Sequence, residues 1–278
     1  MSWFDTTVDP RLEMIEDYYD AVPRRESRAE DVGPLTLFVR LDAGWPYYAR
    51  PAIRAAVAPT AADVARVRDR QRELGVPQVF EWVHEVTPAM RGAAEATGLH
   101  VGVHPLMVLE VPDGGVPVPP LPEGMCVRVL GADDVATATA LTVGHFAFGE
   151  PGTKVGRAGR AELLRLAGAR QIDGSLRSAA ARLTAGLSVL AAAVDKQCVA
   201  LATGQHQPIG AVSEIVGVGT LPAERRRGLG LAVTSLLARD ALERGVTTVF
   251  MSADSENVAR IYARLGFRRI GTSMIAEP

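Results

Sequence analysis

The segment Arg225-Arg226-Arg227-Gly228-Leu229-Gly230 lies between an apolar run, Ile215 to Thr220, that reads as a strand, and Leu231 to Arg244, free of glycine and proline until its end, that reads as a helix. Strand, glycine loop and helix in that order demand an α/β packing, and they make a seat for phosphate. Unpaired N–H groups in the first turn of a helix, with the positive end of its dipole behind them, attract anions, and glycine lets the backbone come close. Arginine in the same loop adds permanent charge and forked donors suited to a pyrophosphate. No Lys-Ser or Lys-Thr follows the second glycine, so the loop is not a Walker loop, and it lacks the third glycine of a dinucleotide-binding turn.

The neighbouring segments carry further signals. Upstream, Ser213-Glu214-Ile215-Val216 puts a carboxylate on the strand; downstream, a strand at Val246 to Met251 is followed by Tyr262-Ala263-Arg264-Leu265-Gly266-Phe267. Arg-x-x-Gly-x-Gly between strand and helix resembles motif A of the GCN5-related N-acetyltransferases, whose chains close with a strand, a short tyrosine-bearing helix and Gly-Phe. Glu214 stands at the distance before the loop where histone-type members keep a general base. The resemblance implies acetyl-CoA as cosubstrate and an acyltransferase that acetylates a primary amine, of a small molecule or a peptide, by direct attack in a ternary complex.

Such a reaction has four requirements: anchored phosphates, a polarised thioester carbonyl, a deprotonated amine and a protonated leaving thiolate. By resemblance, Arg225, Arg226, Arg227, Gly228, Leu229, Gly230 and Leu231 anchor the phosphates. Backbone groups of Val218, Gly219 and Thr220 receive the pantetheine arm as an added strand, and one of them polarises the carbonyl. Gly217 and Gly219 suit that reading, since glycine in a strand marks a bulge or a close approach. Glu214 is the candidate base, because an amine of pKa near 10 is protonated at neutral pH; a rim carboxylate or a structural ion pair is the alternative. Tyr262 is the candidate acid, against a role as a core tyrosine. Asn257 stands near a cofactor-contacting asparagine of the family, with Ser255 as the other choice. His145, His206, Phe146, Phe148 and Trp82 are read as structural. A CoA-holding sensor without turnover, or transfer of another acyl group, is the competing reading.

Length and composition agree with two domains. The chain has 278 residues, 47% hydrophobic and 22% charged, with a formal net charge of −2, so no overall field draws it to nucleic acid or to an anionic membrane. Two cysteines, Cys126 and Cys198, lie far apart without histidine at ligand spacing, which predicts buried thiols and no metal site. The first residues lack the basic and apolar regions of a leader, and no apolar stretch is long enough to span a bilayer, so a cytoplasmic protein is expected.

Five prolines between Pro112 and Pro122 mark a stiff linker. The expected division is a domain over 1–111, a linker over 112–122 and the catalytic domain over 123–278. The first domain is expected to be a repeat of the second, with coincidence between two ordinary α/β stretches as the alternative. Glu73 to Phe80 aligns with Glu243 to Phe250, and Gly98-Leu99 with Gly266-Phe267, while Ala94 replaces Tyr262 and no glycine loop precedes the first helix. The fold class is α/β (α+β): two acetyltransferase-like domains, each a mixed, mostly antiparallel sheet flanked by helices, the first degenerate. Along the chain, a helix is predicted over 10–20, a charged packing segment over 24–31, a helix capped by Thr60 with Asp63, a helix from Asp133 to about Val143, a turn at His145 to Gly149, and one or two helices within 150–186.

Overall fold

The computed structural model describes residues 9–41 and 46–278, and the chain divides into two compact units. Unit 1 holds the described residues up to Met107 with Ser252–Glu256 and Arg269–Pro278; unit 2 holds Val108–Met251 and Asn257–Arg268. The reading of the first residues falls outside the described residues. No described helix is long and apolar enough to cross a membrane.

Helix α1 (Pro10–Arg24) begins at Asp9, whose carboxylate accepts the Arg11 N–H at 2.9 Å, and buries Leu12, Ile15, Tyr18 and Tyr19 with the carboxylate of Glu16 on the same side. Strands β1 (Ser27–Val32) and β2 (Leu35–Arg40) make a hairpin in which Ser27 faces Arg40. The charged segment expected only to pack is thus largely a strand, at the sheet edge, where charged side chains discourage further pairing. β3 (Ala49–Pro51) follows, then α2 (Ala61–Leu74). The predicted cap of α2 is present: Asp63 N–H donates to Thr60 Oγ1 at 3.3 Å, and Thr60 N–H donates to Asp63 Oδ2 at 2.9 Å. Gly75, at φ +65°, ends the helix in the left-handed region. β4 (Phe80–Val83), α3 (Ala89–Glu95) and β5 (His100–Leu109) complete the first run.

The second run contains β6 (Met125–Leu130), α4 (Thr137–Gly149), α5 (Arg160–Asp173), α6 (Arg177–Thr184), β7 (Val189–Asp195), β8 (Ala200–Ile209), β9 (Val212–Thr220), α7 (Leu229–Glu243), β10 (Thr248–Ser252), α8 (Glu256–Tyr262) and β11 (Phe267–Glu277). The turn predicted at His145 to Gly149 is instead the last part of α4. That helix continues to Gly149 and ends there because Pro151 disfavours helical geometry at Glu150, found at φ −117° and ψ 90°. The cysteines are also corrected: both are exposed, Cys126 on edge strand β6 and Cys198 in the β7–β8 turn at φ +59°.

In unit 1 the strand order is β1-β2-β3-β4-β11-β5, with β11 antiparallel to β4 from Ser273↔Val83 to Ala276↔Phe80. Its core gathers Leu35, Leu37, Val64, Phe80, Trp82 and Met274. In unit 2 the order is β6-β7-β8-β9-β10, with α7 packed on strands β6 to β9 and α4 on β8 and β9. β6 to β9 are antiparallel, and β10 runs parallel to β9.

Candidate active site

Strand β9 changes character halfway along. Its ladder with β10 pairs Val212 with Thr248, Ser213 with Val249 and Glu214 with Phe250; among the described residues it stops there, while β9 continues to Thr220. On its other side β9 pairs with β8, but between Gln205↔Val216 and Thr203↔Gly219 it carries two residues, Gly217 and Val218, against the single Gly204. This is a bulge, and Gly217 turns through it at φ +63°. The outcome is a strand whose far half leans on β8 and presents its other edge for an added strand. Val218, Gly219 and Thr220, the residues expected to meet the pantetheine arm, lie in that half.

The loop follows directly. After a single turn of 3-10 helix at Pro222–Glu224, Arg226 takes φ +69° and Gly228 φ +79°, and α7 starts with no side-chain cap at Gly228. A helix of fifteen residues therefore presents its first N–H groups without a capping side chain, beside two left-handed residues. Gly230 is needed for close approach: a Cβ there would lie 3.2 Å from Thr220 Oγ1. Leu229 and Leu231 point into the core, so only their backbone is available to a ligand.

The three arginines have different duties. Arg225 donates to the carbonyls of Lys154 at 3.1 Å, Ala147 at 2.8 Å and Glu150 at 2.5 Å, which fastens the loop to the connector after α4. That connector is itself folded around Glu150, whose carboxylate accepts the N–H groups of Arg157 and Ala158; these bonds hold its pKa below the usual carboxylate range. Gly156 N–H to Pro222 O and Ala223 N–H to Ala158 O, each 3.0 Å, complete the fastening. Arg227 pairs with Glu224. Arg226 is exposed.

Side-chain alternation assigns faces to β9. Ser213 Oγ lies 2.9 Å from His206 Nδ1, and His206 Nε2 lies 2.8 Å from Asp240 Oδ2 on α7, so Ser213 and His206 face α7. Glu214, one residue on, faces the opposite side and is half-buried. A Cβ at Gly219 would meet Ala147 of α4 at 2.8 Å, so this position also looks away from α7. Tyr262 is buried, the last residue of α8, with its ring edge-on to Phe267 at 6.4 Å. Asn257 is exposed, and its Oδ1 accepts from Arg260 at 3.1 Å; Ser255 precedes the same helix. His145 is exposed and pairs edge-on with Phe146 at 5.1 Å, Phe148 is 63% exposed, and Trp82 is buried in unit 1. Sequence reasoning missed the connector built on Glu150; a glutamate before Pro-Gly and ahead of several N–H groups was its only trace.

The family model described as "FR47-like protein" matches residues 192–275, which covers β8, β9, the loop, α7 and β10. Among solved structures, a GCN5-related N-acetyltransferase from Kribbella flavida is similar over 96% of this chain and 95% of its own, at 21% identity and a TM-score of 0.69. The fold is that of the GCN5-related N-acetyltransferases. A GCN5-related N-acetyltransferase from Sphaerobacter thermophilus matches at 20% identity over 88% of this chain and 80% of its own, with a TM-score of 0.53. A tandem GNAT protein from the clavulanic acid biosynthesis pathway, solved without AcCoA, matches at 16% identity over 88% and 78%, with a TM-score of 0.55. No curated protein sequence matches the chain.

The two runs of this N-acetyltransferase fold can be compared element by element. Both read helix, strand, helix, strand, with left-handed glycines at Gly75 and Gly98 in the first and Gly245 and Gly266 in the second. The aligned phenylalanines decide the rest. Phe250 faces Glu214 across its parallel ladder, whereas Phe80 faces Ala49. Beyond Ala49 the first run places Arg50, fully buried, paired with Glu16 and donating to the Glu16 carbonyl at 2.9 Å. Burial pushes the neighbouring Glu81 carboxyl up to about 7, against the pull of Arg50. The helix that follows is closed at its start by Thr60 and Asp63, where α7 has no side-chain cap. Buried Ala94 stands where the second run has Tyr262.

Proposed function

We propose that the chain is an acetyl-CoA-dependent N-acetyltransferase whose active site lies in unit 2, unit 1 being a degenerate copy. The observation that carries this reading is the course of β9: its ladder with β10 ends at Glu214, it bulges at Gly217, and it runs into the start of α7, which has no side-chain cap. The pyrophosphate of acetyl-CoA sits on the N–H groups from Gly228 to Leu231, with Arg226 at its rim. Arg225 and Arg227 act on the loop rather than on the ligand, since their guanidinium groups already bond protein oxygens. The pantetheine arm lies as a strand along Val218, Gly219 and Thr220, and a backbone N–H there polarises the thioester.

In the transfer, Glu214 takes a proton from the acceptor's ammonium, the freed amine attacks the carbonyl carbon, an amide bond forms as the carbon–sulfur bond breaks, and the second proton shed by the nitrogen passes to solvent, from which Tyr262 is reprotonated. Tyr262 supplies the proton that the departing thiolate takes up. The acceptor is a primary amine of a small molecule or a peptide. Calorimetric titration with acetyl-CoA, paired with thiol release over a panel of primary amines, tests the reading. Binding that Gly228→Glu abolishes, with amine-dependent release of thiol, is expected; a wild-type protein that does not bind acetyl-CoA would overturn it.

A further inference from the structure

One buried polar group in unit 2 has no part in the mechanism above. His206 is fully buried between β8 and α7, and Ser213 beside it is likewise inaccessible. The Ser213 hydroxyl donates to His206 Nδ1 at 2.9 Å, His206 Nε2–H donates to Asp240 Oδ2 at 2.8 Å, and Asp240 is also paired with Arg244. The order serine, histidine, aspartate looks like a hydrolytic triad, but an inaccessible hydroxyl cannot reach a substrate.

The place of this chain of bonds explains it better. It grips β9 at Ser213, opposite Val249, one residue before the last rung shared with β10. Among the described residues the β10 ladder ends at that rung, so beyond it the course of β9 is set by β8 and by the packing of α4 and α7 on its two faces. Ser213, His206 and Asp240 add a directional, hydrogen-bonded tie to the α7 side. Asp240 sits three turns along the helix whose first turn is the phosphate seat, and the helix is stiff over that length. An apolar trio could fill the same space without the cost of burying polar groups, but only directional bonds fix an orientation.

We propose that His206 is a positioning residue for acetyl transfer: through Ser213 and Asp240 it locks the strand bearing Glu214 to the helix that seats the cosubstrate. This rests on the function proposed above. Loosening the lock leaves the phosphate seat intact but lets the thioester and Glu214 drift relative to each other, and misplacement of about 1 Å can cost on the order of a hundredfold in rate. Burial holds the His206 pKa below the ordinary histidine value against the opposing bond from Asp240, which agrees with a neutral ring that accepts from Ser213 and donates to Asp240.

The test uses the full chain, acetyl-CoA and the best amine from the panel. Asp240→Ala is expected to lower kcat at least about tenfold while the Kd for acetyl-CoA moves less than about threefold. Asp240→Asn, whose amide oxygen still accepts from Nε2–H, restores most of the rate. Ser213→Ala, which removes one bond and no charge, serves as the milder variant should Asp240→Ala fail to fold, and it too is expected to lower kcat with Kd held. Variants that melt earlier yet keep the wild-type kcat would assign the network to stability alone and overturn the proposal. A wild-type chain that does not bind acetyl-CoA defeats the parent reading and this inference together; acetyl transfer with unaffected variants defeats this inference only.

Discussion

Arg50 and Glu16 form an ion pair with Arg50 fully shielded from solvent, and Arg50 also donates to the Glu16 carbonyl at 2.9 Å. Glu16 in addition accepts the Val83 N–H at 2.5 Å, so one carboxylate ties α1, β3 and β4 together. Removing one partner of such a pair leaves an uncompensated buried charge, at a cost of about 3–5 kcal/mol. Glu16→Gln should therefore destabilise the protein strongly in urea unfolding, and the double variant Glu16→Leu with Arg50→Met should recover most of the loss. If Glu16→Gln is as stable as wild type, the pair is not what holds unit 1.

Arg50 of this buried pair directly follows Ala49, whose rung with Phe80 is the counterpart of the Glu214–Phe250 rung at which the β9–β10 ladder ends. Asp63 at the start of α2 puts a negative charge where a phosphate would sit, so no second cosubstrate is expected in unit 1. Titration should give one acetyl-CoA per chain, eliminated by Gly228→Glu. A stoichiometry of two, or one site that survives Gly228→Glu, would contradict this account of unit 1.

Glu81 makes stability depend on pH in a definite direction. Its folded pKa is raised to about 7 from a reference of 4.5, so folding carries no penalty from this group below about pH 4.5 and an increasing one as pH rises toward 7. Glu81→Gln is not subject to that penalty. The variant should match wild type near pH 4.5 and gain in melting temperature relative to it by pH 8. A constant difference across this range would mean that Glu81 ionises normally.

Arg225 and Arg226 should respond with opposite signs. Arg225→Ala removes bonds to three carbonyls and should cost about 1–3 kcal/mol, with Arg225→Lys a poor substitute because it lacks the fork. Arg226→Gly relieves a left-handed residue and should stabilise by about 0.5–1 kcal/mol, while weakening acetyl-CoA binding roughly tenfold through the lost charge. Thermal melts with and without acetyl-CoA measure both effects.

Glu214→Gln should lower kcat about a hundredfold, and Tyr262→Phe by a comparable or smaller factor, each with little change in acetyl-CoA affinity. Unchanged turnover in both would remove their assignment as base and acid and leave the phosphate seat unaffected.

Several local signals in the sequence were reliable because their cause was local. Thr60 and Asp63 announce their cap, Gly75 and Gly98 their stops, and Gly217 its bulge, because each effect involves only neighbouring residues. The end of α4 was misread because aromatic residues and Gly149 looked like a turn, while the break was fixed by Pro151. The carbonyls that Arg225 bonds lie more than seventy positions away in the chain, so its fastening role could not be read beside its expected place in the phosphate loop. Glu16 and Arg50 were invisible for the same reason, although a glutamate on the apolar stripe of α1 was a trace of them. His206 was read as structural, but its partners Ser213 and Asp240 could not be named before the strands had a register.

The placement of β11 between β4 and β5 carries a consequence for synthesis on the ribosome. The strands that flank it are translated early, and the one that joins them emerges after every other described strand. Until then the nascent amino-terminal sheet has two raw borders with unmatched hydrogen-bonding groups, which invite strand exchange or capture by chaperones. A chain stopped at Phe267 should leave the first sheet unfinished, and the half translated first is thus the half that matures last.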